Sequence, residues 1–479
     1  MPFQLYIDGH WRDAANGKTI DIPNPATGEV VGSQAYGGAP ETREALDAAA
    51  RSFPDWKART AYERAALLTK AAGLMRQRAP EIARVLTAEN GKPLSEALAE
   101  TVGCAAWFEW FAEEGKRVYG RTVPSQFGHK QHWVMQQPVG VVAAIAPWNF
   151  PINLLCRKLG AALAAGCTLV SRPSSRTPLS TALIFECIHE AGFPPGVVNM
   201  VVGGASQMTD VLLSHPAVRK LAFTGSTAVG KQLMQQAGER ITRISLELGG
   251  HAPLIVFPDV DVEEAAIETV AGKFRNGGQS CIAPTRIYVH ENIMDEFTER
   301  VVDLTSKLRV GNGLDEGVDM GPLFDKAQIQ NTEAFIADAV ENGAKVLTGG
   351  NRLSGGAYDR GWFFTPTVLS DISDAMRLTC EEVFGPILPL ISFATEDEVI
   401  RKANNTDYGL AAYVLVRDIS RALRVVEALE YGIVGLNDTV PTVPQAPFGG
   451  WKESGMGREG GIEGIQAYLE TKYVSVGLS

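Results

Sequence analysis

From Val139 onward, short apolar runs alternate with longer amphipathic stretches at a regular pitch. "VGVVAAIAP" reads as a buried strand and "INLLCRKLGAALAAG" as a helix. The alternation continues with "CTLVSRP", "TPLSTALIFECIHEAG", "GVVNMVV", "ASQMTDVLLSHP", "VRKLAFTG", "STAVGKQLMQQAG" and "TRISLELGG". Strands and helices interleaved in this way predict βαβ units on a parallel sheet, hence an α/β fold class. A second alternating block begins at "PLIVF" and runs to about residue 450. Before these blocks the texture differs. Residues 5–36 alternate short apolar runs with turn signals (Asn16-Gly17, Thr27-Gly28) and predict small strands and hairpins. Residues 40–115 carry helical periodicity, punctuated by Pro54, Pro80 and Pro93. Residues 118–137, with "HKQHWVMQQP", alternate like an exposed antiparallel strand, and the tail "IQAYLETKYVSVGL" ends as another that could pair with it. A protruding strand with a free edge invites a second subunit, so an oligomer is expected.

Parallel sheets bind ligands at the carboxyl ends of their strands. The loops to watch are therefore "PWN", "RPSSR", "FTGS" and "LELGG". A chain of 479 residues is also too long for one core and implies two or three domains.

Composition narrows the partners. With 45% hydrophobic and 21% charged residues, the chain is of ordinary globular type. A net charge of -11 argues against nucleic acid, whose phosphates need a basic surface. No apolar run approaches the length of a membrane span, and "MPFQLYIDGHWRDAANGK" lacks the basic start and apolar core of a signal peptide. The cysteines (104, 156, 167, 187, 281, 380) show no CxxC spacing. All but Cys281 read as small buried hydrophobes, a pattern of reducing compartments, so a cytoplasmic protein is expected. The histidines form no HxxxH or HxH cluster, which leaves no metal site to propose.

Four places carry candidate chemistry. Cys281 follows two glycines in "RNGGQSCIAPTR". It is either a packing residue or a nucleophile whose thiolate is favoured by nearby amides or positive charge. Glu247, at an apolar strand end before Gly249 and Gly250, is either a carboxylate satisfied by backbone amides or a partly desolvated general base. Asn149 in "IAPWNFP" could cap the next helix or donate to an oxyanion. "FTGSTAVG" is a strand–turn–helix on whose N-terminus a pyrophosphate could sit, although it is not the GxGxxG fingerprint.

Taken together, "PWNFP", "FTGS", "LELGG", "GQSC", "EEVFGP" and "PFGG" occur in the order and at the separations of the aldehyde dehydrogenase superfamily, which the chain resembles over nearly its whole length. The resemblance implies a Rossmann-like cofactor domain (1–117 and 140–250), an α/β catalytic domain (251–450) and a small β oligomerisation unit (118–139 and 451–479), assembled as a homodimer or homotetramer. It further implies that Cys281 attacks the aldehyde carbon, that the Asn149 side chain and the Cys281 backbone N–H steady the thiohemiacetal oxyanion, and that Glu247 activates the water that hydrolyses the thioester. Lys158 and Glu459 resemble supporting polar groups of the family; otherwise they are plain surface charges. Members that pass the acyl group to coenzyme A generally lack the glutamate, so Glu247 favours release of a free acid. Ala283 stands where some bacterial relatives carry a second cysteine, so a disulfide switch there is not expected.

The same resemblance places Ile145, Pro147, Trp148 and Asn149 on the cofactor, with Gly225, Ser226 and Leu248 beyond them. Glu382 resembles the ligand of the nicotinamide ribose, and Phe384 packs nearby. "SRPSSRTP" departs from the family pattern: Arg172 replaces the usual lysine, and Ser175 stands where many NAD-preferring members have a glutamate. A serine leaves room for a 2′-phosphate that Arg172 and Arg176 could engage, so NADP is favoured over NAD. On the substrate side, Arg157 and Arg275 match succinate semialdehyde dehydrogenases, in which such a pair holds the far carboxylate; Phe150, Thr442 and Phe448 complete the pocket. An arginine in a tunnel is costly without an anion. A short dicarboxylic semialdehyde follows, with succinate semialdehyde favoured. 2-Oxoglutarate semialdehyde and a broad range of aldehydes are the alternatives, and a non-catalytic structural protein that retains the fold is a remote one.

Overall fold

The computed structural model describes residues 3–478. Two sheets dominate it. The first runs in the order His10–Arg12, Leu5–Ile7, Val198–Met200, Thr168–Arg172, Val141–Ile145, Val218–Thr224, Arg243–Glu247, Gly455–Met456. Its five central strands are parallel, with antiparallel edges supplied by the N-terminus and by Gly455–Met456. The chain starts this parallel set in the middle at Val141–Ile145, winds one way through Thr168–Arg172 to Val198–Met200, then crosses back to Val218–Thr224. The direction of winding reverses beside Val141–Ile145. A crevice opens there at the carboxyl ends of the strands, between the "PWN" and "FTGS" loops.

Every predicted strand and helix of this block is present. Helix Pro151–Ala165 follows from its sequence: Pro151 opens it, Gly166 closes it in the left-handed region at φ 93°, and almost every side chain between is buried. It packs between the first sheet and the helical layer Ala61–Gln77 and Leu94–Glu114. Pro54 does not break its element; helix Ala39–Ala58 runs through it, and the buried Trp56 anchors the turn beyond.

The second sheet has the order Lys345–Thr348, Thr367–Ser370, Ile387–Phe393, Pro284–His290, Ala252–Val256, Ala411–Leu415, Ile433–Leu436, parallel apart from its first strand. A third, three-stranded sheet pairs Leu469–Gly477 with Lys130–Pro138 and Lys130–Pro138 with Arg121–Val123. The expected β-unit therefore starts later than residue 451. Trp451–Lys452 pairs with Tyr408–Gly409 and Gly455–Met456 joins the first sheet, because the strand ends there still have unpaired edges to fill. No described helix is long and apolar enough to cross a membrane.

Candidate active site

The loop before Cys281 is held by backbone geometry that few residues accept. Asn276, Gly277 and Gly278 occupy the left-handed region in succession, at φ 50°, 63° and 73°. Two glycines and an asparagine are the residues that tolerate it. Gln279 then locks the turn: its side-chain amide donates to the Asn276 carbonyl at 2.9 Å and accepts from the Phe324 N–H at 2.9 Å. Asn149 is fastened to the same loop. Its Nδ2 donates to the Gln279 carbonyl at 3.1 Å, and its own carbonyl accepts from Asn276 Nδ2 at 3.0 Å and from Lys92 Nζ at 2.8 Å. Phe150, not Asn149, occupies the cap of the next helix. The other N–H of the Asn149 amide makes no hydrogen bond among the described residues.

Cys281 lines two cavities at once. One is walled by Pro147, Trp148, Asn149, Gly225, Ser226, Leu248, Glu382 and Phe384; the other by Phe150, Arg157, Arg275, Thr442, Phe448 and Trp107. Leu154 and Cys281 line both, so the two cavities meet there. The surroundings of the sulfur do not favour the thiolate as the sequence suggested. Burial pushes the thiol up to about 12, Glu382 and Glu247 add to the shift, and Arg157 opposes it. Proton removal at this sulfur therefore needs a base.

Glu247 is a buried ionisable group beside it. It is 2% exposed, and neither carboxylate oxygen has a hydrogen-bond partner among the described residues. Backbone amides do not satisfy it. Burial, reinforced by the charge on Glu459, raises its carboxyl well above the usual range. Lys158 and Glu459 are not surface charges either: the lysine ammonium donates to Glu459 at 2.5 Å and to Thr224 at 2.6 Å, inside the protein.

The first cavity has the walls a dinucleotide requires. Backbone approaches closely where side chains would obstruct: a Cβ on Gly249 would stand 2.6 Å from Glu382 Oε2. Glu382 accepts from the Gly250 N–H at 3.1 Å, and burial lifts its carboxyl to about 7. Ser226 caps helix Thr227–Gly238, whose N-terminus faces the cavity. Trp148 stacks on Phe324 at 4.2 Å and meets Phe384 edge-on at 5.7 Å. Ile145 lies within the strand core and forms no wall of this cavity. Arg172, largely buried, has an Nε without a partner among the described residues, and Ser175 follows in the turn after its strand. Arg176 is paired with Asp325 and lies over the Phe324 ring at 4.3 Å, so here it is not directed at a 2′-phosphate.

In the second cavity Arg157 is 6% exposed and sandwiched by Phe448 at 4.3 Å and Trp107 at 4.9 Å. Its Nε donates to Asn153 at 3.0 Å, and its Nη1, 3.8 Å from Glu459, makes no hydrogen bond among the described residues. Arg275 lies over Phe150 at 5.2 Å. Thr442 Oγ1 is also buried without a partner among the described residues. Aromatic rings and small aliphatic side chains line this cavity, with Arg157, Arg275 and Thr442 among its polar groups.

The sequence profile described as "Aldehyde dehydrogenase family" matches residues 11–474. The chain belongs to the aldehyde dehydrogenase family. This aldehyde dehydrogenase is 50% identical over 476 residues to the NADP(+) succinate-semialdehyde dehydrogenase GabD of Escherichia coli (strain K12), covering 99% of this chain and 98% of that one. It is 48% identical over 473 residues to the glutarate-semialdehyde dehydrogenase of Pseudomonas putida, covering 99% and 97% respectively. A crystal structure of an E. coli NADP-dependent enzyme superposes with a TM-score of 0.97 at 49% identity, covering 100% of this chain and 98% of the other.

Sequence reading missed the support for Asn149 in this aldehyde dehydrogenase. Lys92 is fully enclosed, pairs with Glu100 at 2.5 Å and lies 3.9 Å from the Phe150 ring centroid. Nothing local in "ENGKPLSEALAE" marks it; the only signal is a lysine on the otherwise buried stretch that leads into a helix. Cys380 was expected to be buried but is exposed, on a polar turn that follows Arg377–Thr379.

Proposed function

We propose that this enzyme oxidises a short dicarboxylic semialdehyde, succinate semialdehyde above all, to the free diacid with NADP or NAD. One observation carries the substrate class: two arginines and an unpartnered threonine hydroxyl converge on an aromatic cavity that ends at Cys281. Arg157 Nη1 stands 3.8 Å from Glu459 but makes no hydrogen bond among the described residues, so a carboxylate in the cavity gains a charge-assisted one. The far carboxylate of the substrate is that group, and its binding fixes the aldehyde carbon at the sulfur.

Chemistry then follows from the residues around the sulfur. Cys281 Sγ bonds to the aldehyde carbon while its proton leaves to solvent. The carbonyl oxygen takes up negative charge beside the free N–H of Asn149 and the Cys281 backbone N–H, and one such donor is worth about 3 kcal/mol of barrier. The nicotinamide cofactor, when bound, accepts the hydride. A thioester remains on Cys281. Glu247, held as an acceptor by burial, takes a proton from water, which attacks the acyl carbon and frees the acid. NADP is favoured because Arg172 has an unengaged Nε and Ser175 brings no charge against a 2′-phosphate. Arg176 would have to leave Asp325 to take part. Residues 118–139 and the C-terminal strand serve as the oligomerisation unit of a homodimer or homotetramer, since Arg121–Val123 and Leu469–Gly477 form the edges of their sheet and Trp133 and Tyr473 are exposed on it. Unpaired cysteines suit a cytoplasmic setting.

The test is a steady-state panel of succinate, glutarate and 2-oxoglutarate semialdehydes against uncharged aldehydes, with both cofactors. Arg275→Ala should raise KM for the dicarboxylic semialdehydes by about 30-fold and leave uncharged aldehydes nearly unchanged. Equal effects on both classes would reject the carboxylate clamp. The glutarate-semialdehyde relative makes the five-carbon substrate the second reading, and the panel separates it from the first.

A further inference from the structure

Helix Pro151–Ala165 has one residue that is not buried, Asn153. It stands in the first turn, where a backbone N–H has no carbonyl of its own helix to donate to. Glu100 accepts that N–H through Oε1 at 3.2 Å, while its Oε2 pairs with Lys92. The backbone of Asn153 is therefore fixed from outside the helix. Its side chain is fixed from within: Oδ1 accepts from Arg157 Nε, one turn on, at 3.0 Å. Only the oxygen end of an amide accepts, so this bond decides which end faces the guanidinium and leaves Nδ2 on the other side.

Nδ2 makes no hydrogen bond among the described residues, and Asn153 lines the same cavity as Arg157, Arg275 and Thr442. Helix Leu94–Glu114 gives the amide room. Its residues Ala99, Gly103 and Ala106 line that cavity too, and a Cβ on Gly103 would stand 2.9 Å from Asn153 Nδ2. Glu100 also faces the cavity, but the Asn153 N–H and Lys92 engage both its oxygens. The cavity holds about 170 Å³, close to the ~150 Å³ that a benzene-sized ligand fills. A short ligand anchored at Cys281 is enough to fill it.

We propose that Asn153 is a specificity-determining residue: its Nδ2 donates a hydrogen bond to the far carboxylate of the substrate, alongside the two arginines. This role rests on the dicarboxylic reading above and adds a neutral donor to it. A carboxylate offers about four acceptor positions. Arg157 does not bring its whole fork to them, because Nε is committed to Asn153 and Nη1 stands 3.8 Å from Glu459. An acceptor position is thus left for the amide. The amide also discriminates where charge does not. An arginine attracts any anion from a distance, but an N–H that faces a methyl group loses its bond to water and gains nothing. Asn153 therefore penalises aldehydes whose far end is apolar.

The test compares succinate semialdehyde with butanal by the ratio of their kcat/KM values. Asn153→Ala should lower that ratio about 10-fold, mainly through KM for succinate semialdehyde. Asn153→Leu keeps the bulk, removes both polar atoms and should lower it as much; it also decides the matter if the alanine variant does not fold. A double-mutant cycle separates donation from the mere positioning of Arg157. If Nδ2 donates to the substrate, adding Asn153→Ala to Arg157→Met lowers the ratio again, by about 5-fold. No further fall in that background means that Asn153 acts only through Arg157, and overturns the assignment. An unchanged ratio in the single variants, including an equal loss with both aldehydes, overturns it as well. The clamp fails separately. Arg275→Ala with no effect on the ratio removes the dicarboxylic reading itself, whereas a lowered ratio in Arg275→Ala beside an unchanged one in Asn153→Ala removes Asn153 alone.

Discussion

The two cavities that meet at Cys281 are built by different means. On the cofactor side, strand ends, a helix N-terminus and close-approaching backbone do most of the shaping, and Glu382 is set by a single N–H from Gly250. On the substrate side, side chains from four distant segments do it: Trp107, the Phe150–Arg157 helix start, Arg275 and the 442–448 loop. A backbone-built wall serves every aldehyde alike. A side-chain wall selects among aldehydes and is free to change without disturbing the reaction.

That contrast can be attacked residue by residue. Cys281→Ala removes what both sides share and should lower kcat by about 10⁴-fold or more with every substrate, measured by steady-state reduction of the cofactor. Retained turnover with any aldehyde would end the comparison. Glu247→Gln should lower kcat by about 10²–10³-fold while an initial burst persists, because the thioester still forms. The unaltered enzyme should gain kcat as pH rises, since the buried carboxyl must ionise from a raised pKa; the glutamine variant should lack that rise. Gly249→Ala has the smallest expected effect. The new methyl group displaces Glu382, and KM for the cofactor should rise about 10-fold, or ~1.4 kcal/mol, equally for charged and uncharged aldehydes. An effect that depended on the aldehyde would blur the line between the two walls.

The same division governs what could be read from the chain. Glu247, Gly225 and Ser226 stand at ends of strands whose alternation is plain in "VRKLAFTGS" and "TRISLELGG", so local pattern placed them correctly. Arg157 could be placed on its helix, but its sandwich between Trp107 and Phe448 depends on segments far apart in sequence and leaves no local trace. Lys92 is the extreme case. Only tertiary packing reveals that it holds a carbonyl more than fifty positions away. Cys281 is a related case: glycines foretell room for a ligand, but they do not foretell the neighbouring carboxylates Glu382 and Glu247, which with burial push its thiol up.

Lys92 and Glu100 tie Asn149 to a layer of helices that contributes no strand to either large sheet. The candidate site therefore extends backward into the first quarter of the chain. A shortened protein beginning after residue 117 would keep the parallel strands and the reactive loop, yet its asparagine would have lost one of its moorings.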